Sequence, residues 1–218
     1  MPDGPEMSLD WSLYVIIDEE WLRGFSVPEC TEMAIAGGAT IIQYRNKVSG
    51  TEKFMENAEV LRVVTHKHHV PLIINDRLDI ALAVEADGVH LGQGDLAPQL
   101  ARQALGPDML LGISIDQIGQ LIWSEGADYF GVGAVFPTNS KTVDSVGGLA
   151  LVRKVRERTA LPLIGIGGIN GDNAASVIEA GCDGVAVISA VLGADHIETA
   201  ARKLSDVVHR AKQKRNEQ

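Results

Sequence analysis

Eight short apolar segments recur along this sequence, and each is followed by a stretch with helical character. Most of the segments are unbroken runs of Val, Ile and Leu rather than alternations of apolar and polar residues. Continuous apolar runs of this length are typical of parallel strands that are buried on both faces. The predicted strands are residues 13–17, 40–45, 71–75, 88–91, 110–115, 129–133, 162–167 and 184–189.

The stretches between these strands carry helix signals. Thr51 is a plausible N-cap for a helix over 51–69, and glycines or a Gly-Pro pair follow several of the other stretches at Gly37, Gly106, Gly126 and Gly181. The remaining predicted helices are residues 78–84, 97–105, 117–125, 149–158, 173–180 and 195–212. The charged tail after the last helix is expected to be frayed.

Eight strand–helix units within 218 residues predict an α/β fold, a single closed (β/α)8 TIM barrel. We expect one domain over 1–218, with an N-terminal extension at 1–12 and a charged tail at 212–218. An open doubly wound sheet is the alternative, but such sheets usually carry a glycine-rich turn after the first strand. Here Asp18-Glu19-Glu20 follows that strand. The repetition is one of secondary structure, with no sequence period.

The charge balance limits the classes of partner. Nineteen Lys and Arg against 29 Asp and Glu give a net charge of −10, so we expect no binding to nucleic acid or to anionic membrane. No apolar run approaches the roughly 20 residues of a membrane span. Acids and prolines at 1–10, and two isolated cysteines, Cys30 and Cys182, favour a cytoplasmic protein without disulfides. A homodimer is the default expectation for its assembly.

Chemistry is expected at the carboxyl ends of the barrel strands. Gln43, Arg45 and Lys47 end the second strand, and their spacing places them on one face. Two cations and an amide at the mouth of a barrel suit a phosphate or diphosphate group. A solvated strand end with incidental charges is the alternative.

Acidic residues follow the next two strands, in Asn75-Asp76-Arg77 and in the segment from His90 to Asp95. Neighbouring barrel strands would bring Asp76 and Asp95 together. Mg²⁺ takes one or two protein carboxylates together with oxygens of a substrate phosphate, so the pair predicts a magnesium site. The alternative is that each aspartate caps the helix after it.

The later strand ends supply further polar groups. Ser114 ends the fifth strand, and no partner for a catalytic triad is visible beside it. The segment 134–147 is long enough to be a lid, and it contains Thr138, Ser140 and Lys141. Gly168 in the glycine-rich segment after the seventh strand, and Ile188-Ser189 after the eighth, fit the phosphate site that recurs in such barrels.

Histidines are weaker candidates. His66, His68 and His69 crowd one helix end and are expected to be solvated there, because no carboxylate or cysteine motif completes a metal site. His90 lies at a strand end, where contact with a substrate is a second possibility beside a purely structural role.

Six strings in this order resemble the thiamine-phosphate synthase family. They are Gln43-Tyr-Arg-Asn-Lys47, Asn75-Asp-Arg77, His90-Leu-Gly-Gln-Gly-Asp95, Gly131-Val-Gly133 with Thr138-Asn-Ser-Lys141, the stretch 165–169, and Ile188-Ser189. They extend over nearly the whole chain. The family joins a hydroxymethylpyrimidine diphosphate to a hydroxyethylthiazole phosphate and releases diphosphate, with Mg²⁺ as cofactor.

The resemblance implies a role for each matching residue. Arg45, Ser114 and Lys141 are the candidate catalytic residues, and Asp76 and Asp95 would bind Mg²⁺. The pyrimidine diphosphate would contact Gln43, Arg45, Lys47, Asn75, Ser114 and Lys141, and the thiazole phosphate would contact Thr138, Ser140, Gly168, Ile188 and Ser189. The sequence departs from the family pattern at Tyr44, Gly94 and Ser140, and Tyr44 is expected to face away from the site.

Two other functions fit parts of the pattern. A related thiazole tautomerase shares the thiazole-phosphate end of such a barrel, but it handles no diphosphate and uses a histidine after the fifth strand, where this chain has Ile115-Asp116. A non-catalytic barrel that binds a phosphate ligand would keep the glycine-rich loops but would not need Asp76 together with Asp95.

Overall fold

Eight parallel strands close into a barrel in the computed structural model, which describes residues 9–138 and 147–217. Each strand pairs with the next in sequence, and the eighth pairs with the first. The strands are β1 Leu13–Asp18, β2 Ile41–Arg45, β3 Leu72–Asn75, β4 Gly88–Leu91, β5 Leu110–Ile115, β6 Tyr129–Val132, β7 Leu163–Ile166 and β8 Gly184–Val187. The predicted (β/α)8 fold is confirmed, and β4 and β5 have the predicted bounds.

Helices surround the barrel. They are α1 Val27–Ala36, α2 Thr51–Lys67, α3 Leu78–Ala83, α4 Pro98–Leu105, α5 Gly148–Arg156, α6 Ala174–Glu179, α7 Ser189–Leu192 and α8 Ile197–Asn216, with 3-10 helices at Glu19–Trp21 and Ile118–Trp123. Among the described helices, none combines the length and the apolar character that crossing a bilayer requires.

Three helix predictions need correction. The predicted helix over 117–125 is a shorter 3-10 helix. The N-cap of α2 is Gly50 rather than Thr51, whose hydroxyl instead accepts a hydrogen bond from Arg77 at 3.2 Å. The charged tail is helical to Asn216, because Arg215 donates to the carbonyl of Cys182 at 2.7 Å and holds the last turn against the barrel.

The side chains form two apolar layers. Those that point outward from the strands pack against the helices in one large buried cluster. Those that point into the barrel form a smaller buried cluster, which consists of Tyr14, Ile16, Ile41, Ile73, Tyr129, Ile164 and Ala186. The inner cluster fills the barrel below its carboxyl-end rim, so that polar groups can gather above it.

A hydrogen-bonding side chain recurs immediately before every second strand. Asp87, Asp128 and Asp183 precede β4, β6 and β8, and their carboxylates accept from the backbone N–H of Leu72, Leu111 and Leu163 at 2.8, 2.7 and 2.9 Å. Thr40 does the same before β2, where it accepts from the N–H of Leu13 at 3.0 Å. The same side-chain-to-backbone contact therefore recurs every two strands around the barrel, although the sequence shows no period.

Arginines complete three of these four positions. Arg62, Arg102 and Arg156 reach the three aspartates from the surrounding helices, with N···O distances of 3.5, 2.5 and 3.0 Å. All of these contacts lie at the amino ends of the strands. They join strand to strand and helix to strand on the side of the barrel opposite its carboxyl-end rim.

Candidate active site

A cavity of about 290 Å³ opens at the carboxyl ends of the strands. All the described residues that the sequence selects line it, namely Gln43, Arg45, Lys47, Asn75, Asp76, Asp95, Ser114, Thr138, Gly168, Ile188 and Ser189. The two other selected residues, Ser140 and Lys141, lie outside the described residues. The strand ends that the sequence singles out thus meet around one cavity.

The end of β2 presents the predicted face to this cavity. Gln43, Arg45 and Lys47 line it, while Tyr44 between them is fully buried on the opposite face and packs edge-on against Phe54, with ring centroids 4.8 Å apart. The expectation that Tyr44 faces away is confirmed. The alternation of a strand is what places both cations on the cavity side.

Asp18, which the sequence did not indicate as a site residue, forms an ion pair with Arg45. Arg45 Nη1 donates to the carboxylate of Asp18, which is fully buried, and lies 3.8 Å from the carboxylate of Glu20. Asp18 follows the apolar run of β1 directly, and an acidic residue at the end of a strand is the sequence signal that could have revealed it. The ion pair orients the guanidinium and leaves its other nitrogens to bind an anion.

Lys47, Asp76 and Asp95 form a charged group on the rim. Lys47 Nζ lies 2.5 Å from Asp76 Oδ2, and Asp95 Oδ2 accepts from the N–H of Gly92 at 2.7 Å. Burial raises the pKa of Asp95, and the Asp76 carboxylate raises that pKa further by its charge and by hydrogen bonding. The two carboxyl groups therefore lie close together.

Neither aspartate caps the helix that follows it, so the capping alternative is wrong. The N-caps of α3 and α4 are Arg77 and Ala97, and neither helix has a side-chain cap hydrogen bond. Asp76 adopts a left-handed backbone conformation with φ of +61°, a strained region for a residue with a Cβ. Its carboxylate is aimed at Lys47 and Asp95 instead.

The donor set of this pair suits Mg²⁺. No group of three or more His, Cys, Asp and Glu side chains that could hold a metal occurs within 9–138 and 147–217. Mg²⁺ does not need such a group, because it keeps several waters and shares one or two carboxylates with substrate phosphates. A cation between Asp76 and Asp95 would also relieve the repulsion that raises the pKa of Asp95.

The ends of β7 and β8 form the opposite wall of the cavity. Gly167 and Gly168 have φ of +95° and +63°, and a Cβ on Gly168 would lie 2.4 Å from the carbonyl oxygen of Pro137. After β8, Ile188 and Ser189 begin the short helix α7. Loops after strands seven and eight with a short extra helix are the usual phosphate site of this fold.

A continuous hydrogen-bonded chain lies at the floor of the cavity. Gln43 donates to the Tyr14 hydroxyl at 2.9 Å, and the Tyr14 and Tyr129 hydroxyls are 2.9 Å apart. His90 lies between Tyr129 and Ser114, with Nδ1 3.1 Å from the first hydroxyl and Nε2 3.1 Å from the second. Ser114 thus has a histidine partner, which the sequence did not reveal.

The other histidines lie away from the cavity. His66 and His69 are exposed at the end of α2, as predicted. His68 is half-buried, and its Nε2 lies 2.7 Å from a carboxylate oxygen of Glu32. It therefore belongs to a contact between α2 and α1.

Comparison with known proteins identifies the family. A family model described as thiamine monophosphate synthase matches residues 13–191. The chain is similar to the thiamine-phosphate synthase of Clostridium novyi, with 47% identity over 92% of this chain and 100% of that protein. It is also similar to the thiamine-phosphate synthase of Moorella thermoacetica, with 48% identity over 94% of this chain and 99% of that protein.

A solved structure agrees with the sequence comparisons. The thiamine phosphate pyrophosphorylase from Pyrococcus furiosus superimposes with a TM-score of 0.84 and 38% identity, and the match covers 93% of this chain and 98% of the other. The resemblance read from the six strings is therefore confirmed. The chain belongs to the thiamine monophosphate synthase family and is a transferase of the thiamine-phosphate synthase class.

Proposed function

We propose that the enzyme condenses 4-amino-2-methyl-5-(diphosphomethyl)pyrimidine with 4-methyl-5-(2-phosphoethyl)thiazole, in the presence of Mg²⁺, to give thiamine phosphate and diphosphate. The observation that carries this proposal is the group formed by Lys47, Asp76 and Asp95 beside Arg45 on one rim. Two carboxylates held together next to two cations suit a metal-bound diphosphate. A monophosphate alone would not require them.

The leaving diphosphate would be held by positive side chains. Arg45, oriented by buried Asp18, and Lys47, oriented by Asp76, line the same part of the cavity. Lys141, outside the described residues, keeps the role that the family resemblance assigns to it at the same group. Fixed cations at the point where negative charge develops stabilise a transition state without reorganisation during the reaction.

Asp76 and Asp95 would hold Mg²⁺, which when bound supplies a Lewis acid that neutralises charge on the diphosphate. The two residues fit this role because their carboxylates come together from adjacent strand ends, β3 and β4, at the mouth of the cavity. Asp76 has a left-handed backbone conformation at this point, with φ of +61°.

The bond changes need no nucleophilic side chain. The C–O bond between the pyrimidine methylene and the diphosphate breaks, and its electron pair leaves with the diphosphate. The electron-rich aminopyrimidine stabilises the resulting cation, and the thiazole nitrogen then donates its lone pair to form the C–N bond. The protein contributes position, charge and exclusion of water, which would otherwise trap the cation.

The thiazole phosphate would bind at the opposite wall. Gly168, which has no side chain, would let the ligand approach its backbone, and the Ile188-Ser189 turn would present N–H groups at the start of α7. Thr138 lines the cavity beside them, and Ser140 keeps the assignment that the resemblance gives it. The two phosphate-bearing substrates would thus approach from opposite sides with their reacting atoms between.

The tautomerase alternative is disfavoured at the fifth strand. Ser114, Ile115 and Asp116 end β5, so no histidine follows this strand, and the histidine that reaches Ser114 comes from β4. The rim group of cations and carboxylates has no use in a tautomerase or in a simple binding barrel. These features favour the synthase reaction.

A coupling assay tests the proposal. Incubation with both phosphorylated substrates and Mg²⁺ should give thiamine phosphate and diphosphate in equal amounts, whereas either substrate alone should give neither. Isomerisation of the thiazole phosphate without coupling would instead support the tautomerase. Binding of the phosphates with no product would support the non-catalytic barrel.

Two expectations about the cellular setting accompany this function. The net charge of −10 supports an enzyme that does not bind nucleic acid, and the two isolated cysteines, Cys30 and Cys182, support a cytoplasmic one. A homodimer is the default assembly for an enzyme of this kind. Light scattering of the purified protein measures that assembly directly.

A further inference from the structure

The hydrogen-bonded chain at the cavity floor joins five residues from five strands. Gln43 on β2, Tyr14 on β1, Tyr129 on β6, His90 on β4 and Ser114 on β5 follow one another at 2.9, 2.9, 3.1 and 3.1 Å. Its two ends, Gln43 and Ser114, are among the residues that would contact the pyrimidine diphosphate. The middle three have no part in the mechanism derived above.

Two inward-facing glycines make room for this chain. A Cβ on Gly112 would lie 2.3 Å from the Tyr129 hydroxyl and 2.5 Å from His90 Nδ1, and a Cβ on Gly131 would lie 3.0 Å from His90 Cε1. Both glycines are in strands, β5 and β6, where any other residue would place a side chain in the space that the chain occupies. The barrel interior is therefore built around these rings.

The hydrogen bonds of the chain fit a single direction that starts at Gln43. Burial raises the pKa of Tyr14 and of Tyr129 above the ordinary range, so each hydroxyl keeps its single proton at neutral pH. Tyr14 accepts from Gln43, and the Tyr129 hydroxyl, 2.9 Å away, can accept the proton of Tyr14. Donation from Tyr129 to His90 Nδ1 continues this direction, and it would place the imidazole proton on Nε2, facing Ser114.

We propose that Tyr14, Tyr129 and His90 are positioning residues that fix the amide of Gln43 and the hydroxyl of Ser114 as a matched acceptor and donor for the pyrimidine. Since Gln43 uses its amide nitrogen on Tyr14, its carbonyl oxygen remains to accept from the ligand. Since Ser114 accepts from His90, its own proton remains to be donated. The relay, as we call these three residues, thus determines which ring the cavity accepts.

This inference rests on the proposed function, and it makes the function more specific. An aminopyrimidine offers an amino donor beside a ring-nitrogen acceptor, which is complementary to the floor. The 4-oxo analogue, in which a carbonyl replaces the amino group, presents the reverse pattern. A floor with a fixed direction should reject it, because buried polar groups left without partners are costly.

The test compares dissociation constants for the aminopyrimidine diphosphate and its 4-oxo analogue, with Mg²⁺ present, in wild type and variants. Tyr129→Phe interrupts the relay at its centre. Tyr44→Phe is the matched control, because Tyr44 is also fully buried and hydrogen-bonded, to Glu19, but on the outer face of β2. We expect Tyr129→Phe to reduce the preference for the aminopyrimidine roughly tenfold or more, and Tyr44→Phe to leave it unchanged.

A folded Tyr129→Phe that keeps the wild-type preference, or a Tyr44→Phe that loses it equally, would overturn the proposal. Should Tyr129→Phe fail to fold, Tyr14→Phe separates Gln43 from the rest of the relay, and the same loss of preference is expected. Nitrogen-15 NMR of the wild type is independent of any variant. It should show His90 protonated on Nε2 and not on Nδ1, and the opposite tautomer would contradict the relay.

The failure of the relay and the failure of the synthase assignment are distinguishable. If wild type makes no thiamine phosphate from the two substrates, the proposed function fails whatever the tautomer of His90. If wild type makes thiamine phosphate but Tyr129→Phe discriminates as well as wild type does, the function stands and only the relay fails.

Discussion

The carboxylate of Asp76 lies close enough to that of Asp95, at the rim of the barrel, to add to the rise in the pKa of Asp95 that burial causes. Two like charges held together destabilise the folded state, because their repulsion is absent in the unfolded chain. Lys47 offsets part of this cost, with Nζ 2.5 Å from Asp76. The arrangement is explained if a divalent cation joins the two carboxylates when substrate binds.

Asp95→Asn should therefore stabilise the metal-free enzyme while it abolishes activity. The pKa of Asp95 is raised in the folded state, so its ionisation opposes folding at neutral pH; this cost shrinks as pH falls through the folded pKa and is gone below the unfolded one. The melting temperature of Asp95→Asn should equal or exceed that of wild type at pH 7, with the difference shrinking in acid. Added Mg²⁺ should raise the melting temperature of wild type only. A variant that melts well below wild type at pH 7 would contradict the assigned repulsion.

Asp18 should act through Arg45. Asp18→Ala removes the buried carboxylate that orients the guanidinium, so turnover should fall about as much as in Arg45→Ala, on the order of 10²–10³-fold. The double variant should lose little more than either single one, because both remove the same contact. Steady-state kinetics of the three variants measure this. Losses that multiply in the double variant would show that Asp18 and Arg45 act independently.

Substitution of Gly168 should weaken the binding of the thiazole phosphate and not that of the pyrimidine diphosphate. In Gly168→Ala the new Cβ would meet the carbonyl of Pro137 at 2.4 Å and would also strain a backbone with φ of +63°, so the loop must move. We expect KM for the thiazole phosphate to rise roughly tenfold or more, with KM for the pyrimidine diphosphate little changed. Gly171→Ala is the control, since nothing lies within 4 Å of its Cβ. Equal effects on both substrates would place Gly168 outside the thiazole-phosphate site.

The contacts at the amino ends of the strands should affect stability alone. Asp128→Ala removes the acceptor for the N–H of Leu111 and the partner of Arg102, which should lower the free energy of unfolding by about 1–3 kcal/mol. Activity of the folded enzyme should stay within about twofold of wild type, because the cavity lies at the other end of the barrel. Urea denaturation measures the loss of stability, and the coupling assay measures the activity. A large loss of activity without a loss of stability would show that the two ends of the barrel are coupled.

The sequence predicts the fold and the rim of the site well, because both follow from local patterns. Unbroken apolar runs mark buried parallel strands, and the closure of eight of them brings Gln43, Asp76 and Ser114 to one end whatever the details of packing. The alternation of β2 predicts correctly that Arg45 lines the cavity and Tyr44 does not.

Partners inside the barrel could not be predicted in the same way. Tyr14 and Tyr129 stand in runs that count as apolar, and they meet only through the register of β1 and β6 across the interior. The pairing of His90 with Ser114 is likewise set by the register of β4 and β5. The helical end of the tail depends on a contact of Arg215 with Cys182, 33 residues earlier in the chain.

The metal dependence of coupling tests the central claim most directly. Wild type and Asp76→Ala would be given both phosphorylated substrates, first with EDTA and then with Mg²⁺ in excess, while thiamine phosphate and diphosphate are followed. Wild type should form no product in EDTA and recover fully with Mg²⁺, and Asp76→Ala should remain roughly 10²–10³-fold slower at the same Mg²⁺ concentration. Undiminished turnover of wild type in EDTA, or wild-type rates in Asp76→Ala, would contradict the account.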